Sequence, residues 1–289
     1  MNTSAPTSVM GIRQRPRSVE GVAASAWLQS MVWGPRRALR VVGASGPACY
    51  AHVEGGQVLA LETPGGASLP NALTLGSHGA GGGGLAVGAA GAVGDGRVCI
   101  GDRTMVVRRW WDPHAQVREF DVGVLRRHRH LLPAVLADGH HVYGLTAPVG
   151  RLRNAAIDRD THTVASVVDE LVGRGPGSTP AGDDVLAGLL AALRTYRAAH
   201  DRRVAGFTDA LARETARAAH RTTALSATLL RCADDGAVVG AARRVLRALA
   251  GHGRPAEAVA SLAVVGHTSG RDLLTGIATA VDLLTTERG

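Results

Sequence analysis

Two short stretches carry the residue types that could do chemistry. The first, Gly173–Leu193, reads GRGPGSTPAGDDVLAGLLAAL. Its first half places glycines and prolines around Ser178 and Thr179, so the backbone there is a shaped loop. From Asp183 on, apolar residues at Val185, Leu186, Leu189, Leu190 and Leu193 mark one face of a helix. Asp183 and Asp184 stand where that helix starts, as cap and first-turn acids do. A shaped loop feeding a helix N-terminus presents N–H groups to an anion. Two carboxylates at the same place would repel a bare phosphate unless a cation or an amide-bearing ligand lies between.

The second stretch echoes the first. Gly182-Asp-Asp-Val-Leu-Ala-Gly188 recurs as Gly270-Arg-Asp-Leu-Leu-Thr-Gly276, with Gly182, Asp184, Leu186 and Gly188 answered by Gly270, Asp272, Leu274 and Gly276. Each copy follows a loop bearing hydroxyls, Gly177-Ser178-Thr179-Pro180 and Gly266-His267-Thr268-Ser269. On a helix, Asp at i and Gly at i+4 share a face, and the glycine lets another backbone approach there. The pattern predicts that the two helices cross at Gly188 and Gly276, bring their N-termini together and turn Asp184 and Asp272 towards one site. A first-turn Asp taken alone is more often a simple cap, and it is the repeat that raises these two above that reading.

The elements that must hold these loops fall into two classes. The N-terminal half reads as β, with short apolar runs at Leu39–Gly43, Ala72–Leu75 and Leu85–Val87. Hairpin signals join Ala48–Val53 to Gln57–Glu62 and Arg97–Ile100 to Thr104–Arg108. Val124–Ala137 reads as a helix broken at Pro133, and His140–Leu145 as a last strand. From about Thr161 the chain reads as helix after helix: Thr161–Val172, Asp183–Ala199, Phe207–His220, Ala224–Ala233, Ala237–Leu249, Pro255–Val264 and Arg271–Leu284. The expected fold is therefore α+β, an N-terminal β-rich layer or small barrel followed by a mostly helical domain. The expected division is a disordered segment 1–20, a β-rich domain 21–150 and a helical domain 151–289.

Composition narrows the function. The 289 residues are 45% hydrophobic and 3% aromatic, so the core is aliphatic. All basic side chains are arginine; with the Ala and Gly excess this looks like the bias of a GC-rich genome, which weakens the pI of about 10.7 as a nucleic-acid signal. Cys49, Cys99 and Cys232 are an odd, scattered set, which suits free thiols in a cytoplasm. No run is long enough to span a membrane, and the first twenty residues lack the apolar core of a secretory signal. The tract Gly79–Gly84 has no GK[ST] beside it and reads as a loop. His128, His130, His140 and His141 match no metal-ligand spacing. Trp110-Trp111 reads as a satellite core cluster, and the runs Arg126–Arg129 and Arg243-Arg244 read as solvated faces.

The first stretch resembles the G-x-G-P-G-x-T-P-x-G-D-D signature of the AllH-type family. VVGHTSGRDLLTGI resembles that family's G-H-x-S-G-x-D-x-x-x-G element. Between them, Thr222, Thr223 and Ser226 in RTTALSATLLRCADDG resemble its T-x-x-S-x-x-L-x-x-A-x-x-G segment. The resemblance covers roughly Thr161 to Leu284 and departs from the pattern at Ser178, where a larger apolar residue is expected. It implies a cytoplasmic subunit of a bacterial oxamate carbamoyltransferase. That enzyme exchanges oxalurate and phosphate for oxamate and carbamoyl phosphate in allantoin breakdown, with FdrA-like and AllG-like subunits.

Such a transfer needs positioned phosphate oxygens, a polarised carbonyl and a bound amine. The expected anion contacts are Gly175, Gly177, Ser178, Thr179 and Gly182 in one loop and Thr268, Ser269, Gly270 and Arg271 in the other, with Ser226. Arg271 would offer a bidentate fork. Asp183, Asp184 and Asp272 would accept from an amide –NH2, or Asp183 and Asp184 would hold Mg²⁺, which leaves the cofactor open. His267 is a candidate general acid or base. Two readings stand beside the enzyme subunit. One is a non-catalytic subunit that binds a small ligand or scaffolds its partners. The other is an arginine-rich nucleic-acid binder, which the acidic loops oppose.

Overall fold

A computed structural model describes residues 18–76, 84–117, 120–132, 143–199 and 202–286. Among these, eight strands close into a barrel: β1 (Ser18–Ser25), β2 (Arg37–Ser45), β3 (Ala48–Val53), β4 (Gln57–Glu62), β5 (Ala72–Thr74), β6 (Ala90–Gly94), β7 (Arg97–Ile100) and β8 (Arg103–Trp111). Their order around the barrel is β1-β5-β4-β3-β2-β6-β7-β8, and a parallel pairing of β1 with β8 closes it. Closure leaves no strand edge to aggregate.

Alternation explains the interior. Cys49, Ala51 and Val53 of β3 and Leu59 and Leu61 of β4 point inward, and helix α1 (Gln29–Trp33) adds Met31 and Val32 to the same core. The other face of β4 is Val58, Ala60 and Glu62, and it too is buried. It is covered because the helical half packs on it. The Val58 amide donates to Thr228 Oγ1 at 2.9 Å, and Trp27 Nε1 donates to Asp235 Oδ2 at 2.8 Å.

The helical half contains α2 (Val122–His128), α3 (Thr146–Asp158), α4 (Thr161–Leu171), α5 (Ala181–Thr195), α6 (Arg202–Ala218), α7 (Ala224–Asp234), α8 (Gly240–Leu249), α9 (Pro255–Ala263) and α10 (Ser269–Thr285). Residues Ala181–Leu193 of α5 are buried all round. The apolar stripe of the sequence understates this helix, because Ala and Gly fill its remaining faces and let neighbours pack on every side.

The repeat in sequence is a repeat in structure. A Cβ on Gly188 would lie 2.2 Å from the Leu273 carbonyl oxygen, and one on Gly276 would lie 2.0 Å from that of Val185. Helices α5 and α10 therefore touch backbone to backbone where the pattern predicts. Each copy also packs alike on its preceding helix: a Cβ on Gly182 would meet Leu171 O at 2.1 Å, and one on Gly270 would meet Leu262 O at 1.8 Å. The unit α4–loop–α5 is thus matched by α9–loop–α10.

Several elements differ from the sequence reading. Ser18–Glu20, assigned to the disordered tail, open β1, where Glu20 pairs with Arg103 at 2.5 Å. Strand β6 was hidden by its Ala and Gly content, and Leu85–Val87 forms no strand. Helix α3 was not anticipated; its Pro148 and Gly150 are poor helix formers, although a proline is tolerated in a first turn. The helix expected over Val124–Ala137 runs Val122–His128 as described, and the strand expected at His140–Leu145 is absent over its described residues 143–145. Residues 77–83 and 133–142, which include most of the glycine tract, His140 and His141, lie outside the described residues. His128 Nδ1 sits 3.0 Å from the Leu249 carbonyl and His130 Nδ1 sits 2.8 Å from that of Arg127. Trp110 packs on the barrel core, and the Arg243 guanidinium lies over Trp111 at 5.8 Å.

Gly188→Ala and Gly276→Ala are expected to lower stability in denaturant melts by about 1–3 kcal/mol or more, since each methyl meets a carbonyl. Gly206→Ala on α6, which meets nothing within 4 Å, should instead raise stability by about 0.5–1 kcal/mol.

Candidate functional site

The crossing of α5 and α10 brings two loop–helix junctions together. Thr179 Oγ1, just ahead of α5, lies 3.2 Å from Ser269 Oγ, the first residue of α10. Beside them a cavity of about 210 Å³ opens between the barrel and the helices. Ser178, Thr179, Asp184 and Ser269 supply polar groups to its wall, and Gly266 belongs to its rim. The barrel adds Tyr50, Leu69 and Pro70; α7 and the start of α8 add Leu225, Leu229, Val238 and Val239. No arginine is among the lining residues.

The two adjacent acids do opposite things. Asp183, 1% exposed, is saturated by its own chain. Its Oδ1 accepts from the Gly173 amide at 2.9 Å, and its Oδ2 accepts from Ser226 Oγ at 2.7 Å and from Thr222 Oγ1. It ties the loop before α5 to the start of α7. Next to it, Thr223 Oγ1 donates to the Ser178 carbonyl at 2.6 Å and caps α7 by accepting from Ser226 N at 3.1 Å.

Asp184 turns the other way, into the cavity wall. It is 6% exposed, and its Oδ2 is buried with no hydrogen-bond partner among the described residues. Burial pushes its carboxyl well above the ordinary carboxylate range. The Ser269 and Thr179 hydroxyls, which hydrogen-bond to it, oppose that shift, while the Asp272 and Asp183 carboxylates reinforce it. Asp272, 0% exposed, is thus felt at the site without lining the cavity.

The remaining sequence candidates are placed as follows. The amides of Gly182 and Gly270 already donate to Arg174 O at 2.9 Å and Val265 O at 3.0 Å. Those of Asp183 and Asp184 go to Pro180 O, and those of Arg271 and Asp272 go to Thr268 O. These six amides, three on each helix, are therefore used internally. Gly175 and Gly177 shape the first loop at φ +112 and +91 and do not line the cavity. Ser226 serves Asp183. His267 is exposed, Arg271 is half-buried, and neither lines the cavity. Asp183 and Asp184 do not converge on a common point for Mg²⁺, and among the described residues no group of three or more His, Cys, Asp or Glu side chains is arranged to hold a metal. The sequence reading missed the barrel residues Tyr50, Leu69 and Pro70, and no local signal connects them to loops more than a hundred positions away.

A duplicated loop–helix unit thus sets one buried acid from each copy near a cavity whose facing wall comes from the small barrel. The model of the AllH family, described as oxamate carbamoyltransferase subunit AllH, matches residues 171–281. That stretch contains both loop–helix junctions and the Thr222–Ser226 contact, so the resemblance seen in the motifs holds over the site. No solved structure matches the chain. Among the described residues, no helix is long and apolar enough to cross a membrane.

The contrast between the acids gives opposite stability effects. Asp183→Ala strands three donors and should cost about 3 kcal/mol or more. Asp184→Asn removes a carboxyl whose ionisation folding disfavours. An acid with a raised folded pKa costs stability as pH climbs from the ordinary carboxylate value towards the raised one. Asp184→Asn should therefore raise Tm near pH 8, with the gain shrinking towards zero below about pH 4, as read by thermal melts across pH.

Proposed function

We propose that this chain is a subunit of an oxamate carbamoyltransferase-like enzyme, and that the Asp184 cavity holds the amide end of its small acid substrate. The observation that carries this reading is the buried Asp184 carboxyl, its Oδ2 unpartnered among the described residues and its proton held more tightly by burial, beside the hydroxyl side chains of the AllH-like stretch. A neutral carboxyl both donates and accepts, so it can pair with a carboxamide through two hydrogen bonds. A carboxylate could offer the amide only acceptors. In this reading the acid end of oxamate or oxalurate lies towards Ser178 on the same wall.

The reaction in this reading is oxalurate plus phosphate to oxamate plus carbamoyl phosphate, as in allantoin breakdown. A phosphate oxygen attacks the ureido carbonyl, the C–N bond to the oxamate nitrogen breaks, and that nitrogen takes up a proton. Asp184 is placed to give that proton as general acid, with Asp272 helping to keep it protonated. The cavity has no cation for phosphate, so we assign the phosphate to Arg271 and His267 on the second junction and to FdrA-like and AllG-like partner subunits. Asp183, Gly173, Thr222 and Ser226 then serve as the frame of the site. Mg²⁺ could travel with the phosphate, outside the Asp184 pocket.

One observation favours a second reading, a subunit that binds the ligand without transforming it: most of the cavity wall is aliphatic. Reconstitution with the partner subunits separates the two, with carbamoyl phosphate formation from oxalurate and phosphate as the assay. As an enzyme component, omission of this chain abolishes turnover, and Asp184→Ala lowers kcat/KM by about a hundredfold or more while the complex still assembles. Full activity from an assembled Asp184→Ala, Asp272→Asn double variant would leave the chain a scaffold.

A further inference from the structure

The barrel's share of the cavity wall is held in place by one carboxylate. Glu62 lies on the outer face of β4 and is 2% exposed. Its two oxygens accept from the Leu69 amide at 3.4 and 3.3 Å, and although burial raises its pKa, the neighbouring Ser68 and Ala67 amides act on the same carboxyl to oppose that rise. The Leu69 amide shared between both carboxyl oxygens ties the segment after β4 back onto the strand in a curl. Gly66 lies against the acid: a Cβ there would stand 3.0 Å from Glu62 Cβ and 3.1 Å from its carboxyl carbon. Ser68 is held at φ +58, a left-handed conformation that a serine adopts only where its surroundings enforce it.

This curl reaches across to the helices. The Ser68 carbonyl accepts from the Gly240 amide at 3.0 Å, at the start of α8, directly after Val238 and Val239 of the cavity wall. On the barrel side, Ala67, Leu69 and Pro70 line the cavity together with Tyr50, whose register partner across the β3–β4 ladder is Ala60. A buried acid is costly, and an apolar residue at this place would pack against the sheet without that cost. What the acid supplies is a fixed shape for residues that touch the ligand space.

We infer that Glu62 is a positioning residue for the ligand site, fastening segment 67–70 as the wall that sets which amide-bearing acids the Asp184 cavity accepts. The inference rests on the reading of that cavity as the substrate site. Contact with substrate falls to Leu69, Pro70 and Tyr50; Glu62 acts through them.

The test is calorimetric titration of the full chain, alone and in the reconstituted complex, with oxamate, malonamate and succinamate, acids of rising length that share a carboxamide. Wild type should bind oxamate most tightly. Leu69→Ala opens the wall and should move the oxamate-to-succinamate affinity ratio about tenfold or more towards succinamate. Glu62→Gln replaces one oxygen of the pair that receives the Leu69 amide with an NH2 group, so it should weaken oxamate by about tenfold and flatten the preference, with an unchanged circular dichroism spectrum. Glu62→Asp should restore part of the preference. An unaltered ratio in both Leu69→Ala and Glu62→Gln, with Asp184→Ala abolishing binding, overturns the inference and leaves the cavity reading standing. Wild-type binding by Asp184→Ala, or no binding by wild type in the complex, overturns both. If Glu62→Gln does not fold, Leu69→Ala decides alone.

Discussion

The contact on which the site depends is backbone against backbone, where Gly188 and Gly276 let α5 and α10 meet without side chains between them. Helices usually pack with axes about 8–10 Å apart because side chains keep them so. Here the smallest residues remove that spacing at one point in each helix. The close crossing draws the two N-termini together, so Thr179 can reach Ser269 and Asp184 can feel the field of Asp272. Everything polar at the site follows from that approach. A larger residue at either position would open the crossing and separate the loops.

That geometry also divides labour between neighbours in the sequence. Asp183 and Asp184 are separated by about 100° around the helix, so one faces Gly173 and α7 while the other faces the cavity. The first is hydrogen-bonded to saturation and stabilises the loop. The second is held near a like charge and away from water, both of which raise its affinity for a proton. Two identical residues side by side thus have different partners and different tasks, set by the direction in which the helix turns them.

This is also where the sequence was most and least informative. The Gly182–Gly188 and Gly270–Gly276 echo was enough to place the crossing, because a glycine four residues after a first-turn acid has a fixed position on a helix. The hairpin Ala48–Val53 to Gln57–Glu62 was legible from its turn residues and apolar runs, and its boundaries match β3 and β4. What the sequence could not show was long-range. Strand β6 lacks a β-forming composition, β1 follows an arginine-rich leader, and Pro148 masks a helix start. The difference between the two acids depends on Thr222 and Ser226 arriving from α7, and the cavity's other wall depends on a barrel far back in the chain. Local pattern carries none of these contacts. The expectation of free helix-terminal amides also came from local pattern, and the loops close on those amides through Arg174 and Val265.

The doubly buried strand β4 has a consequence for how this protein can change over time. One face of β4 belongs to the barrel interior; the other, through Val58 and Thr228, belongs to the helices. Tyr50, Leu69 and Leu225 close on the same small volume from both sides. A substitution that enlarges the pocket from the barrel must therefore be answered from α7 or α8, or the cavity loses its shape. The barrel and the helical half are bound to vary as a matched set, and paired changes between β3–β5 and α7–α8 are the record such constraint would leave among descendants of this chain.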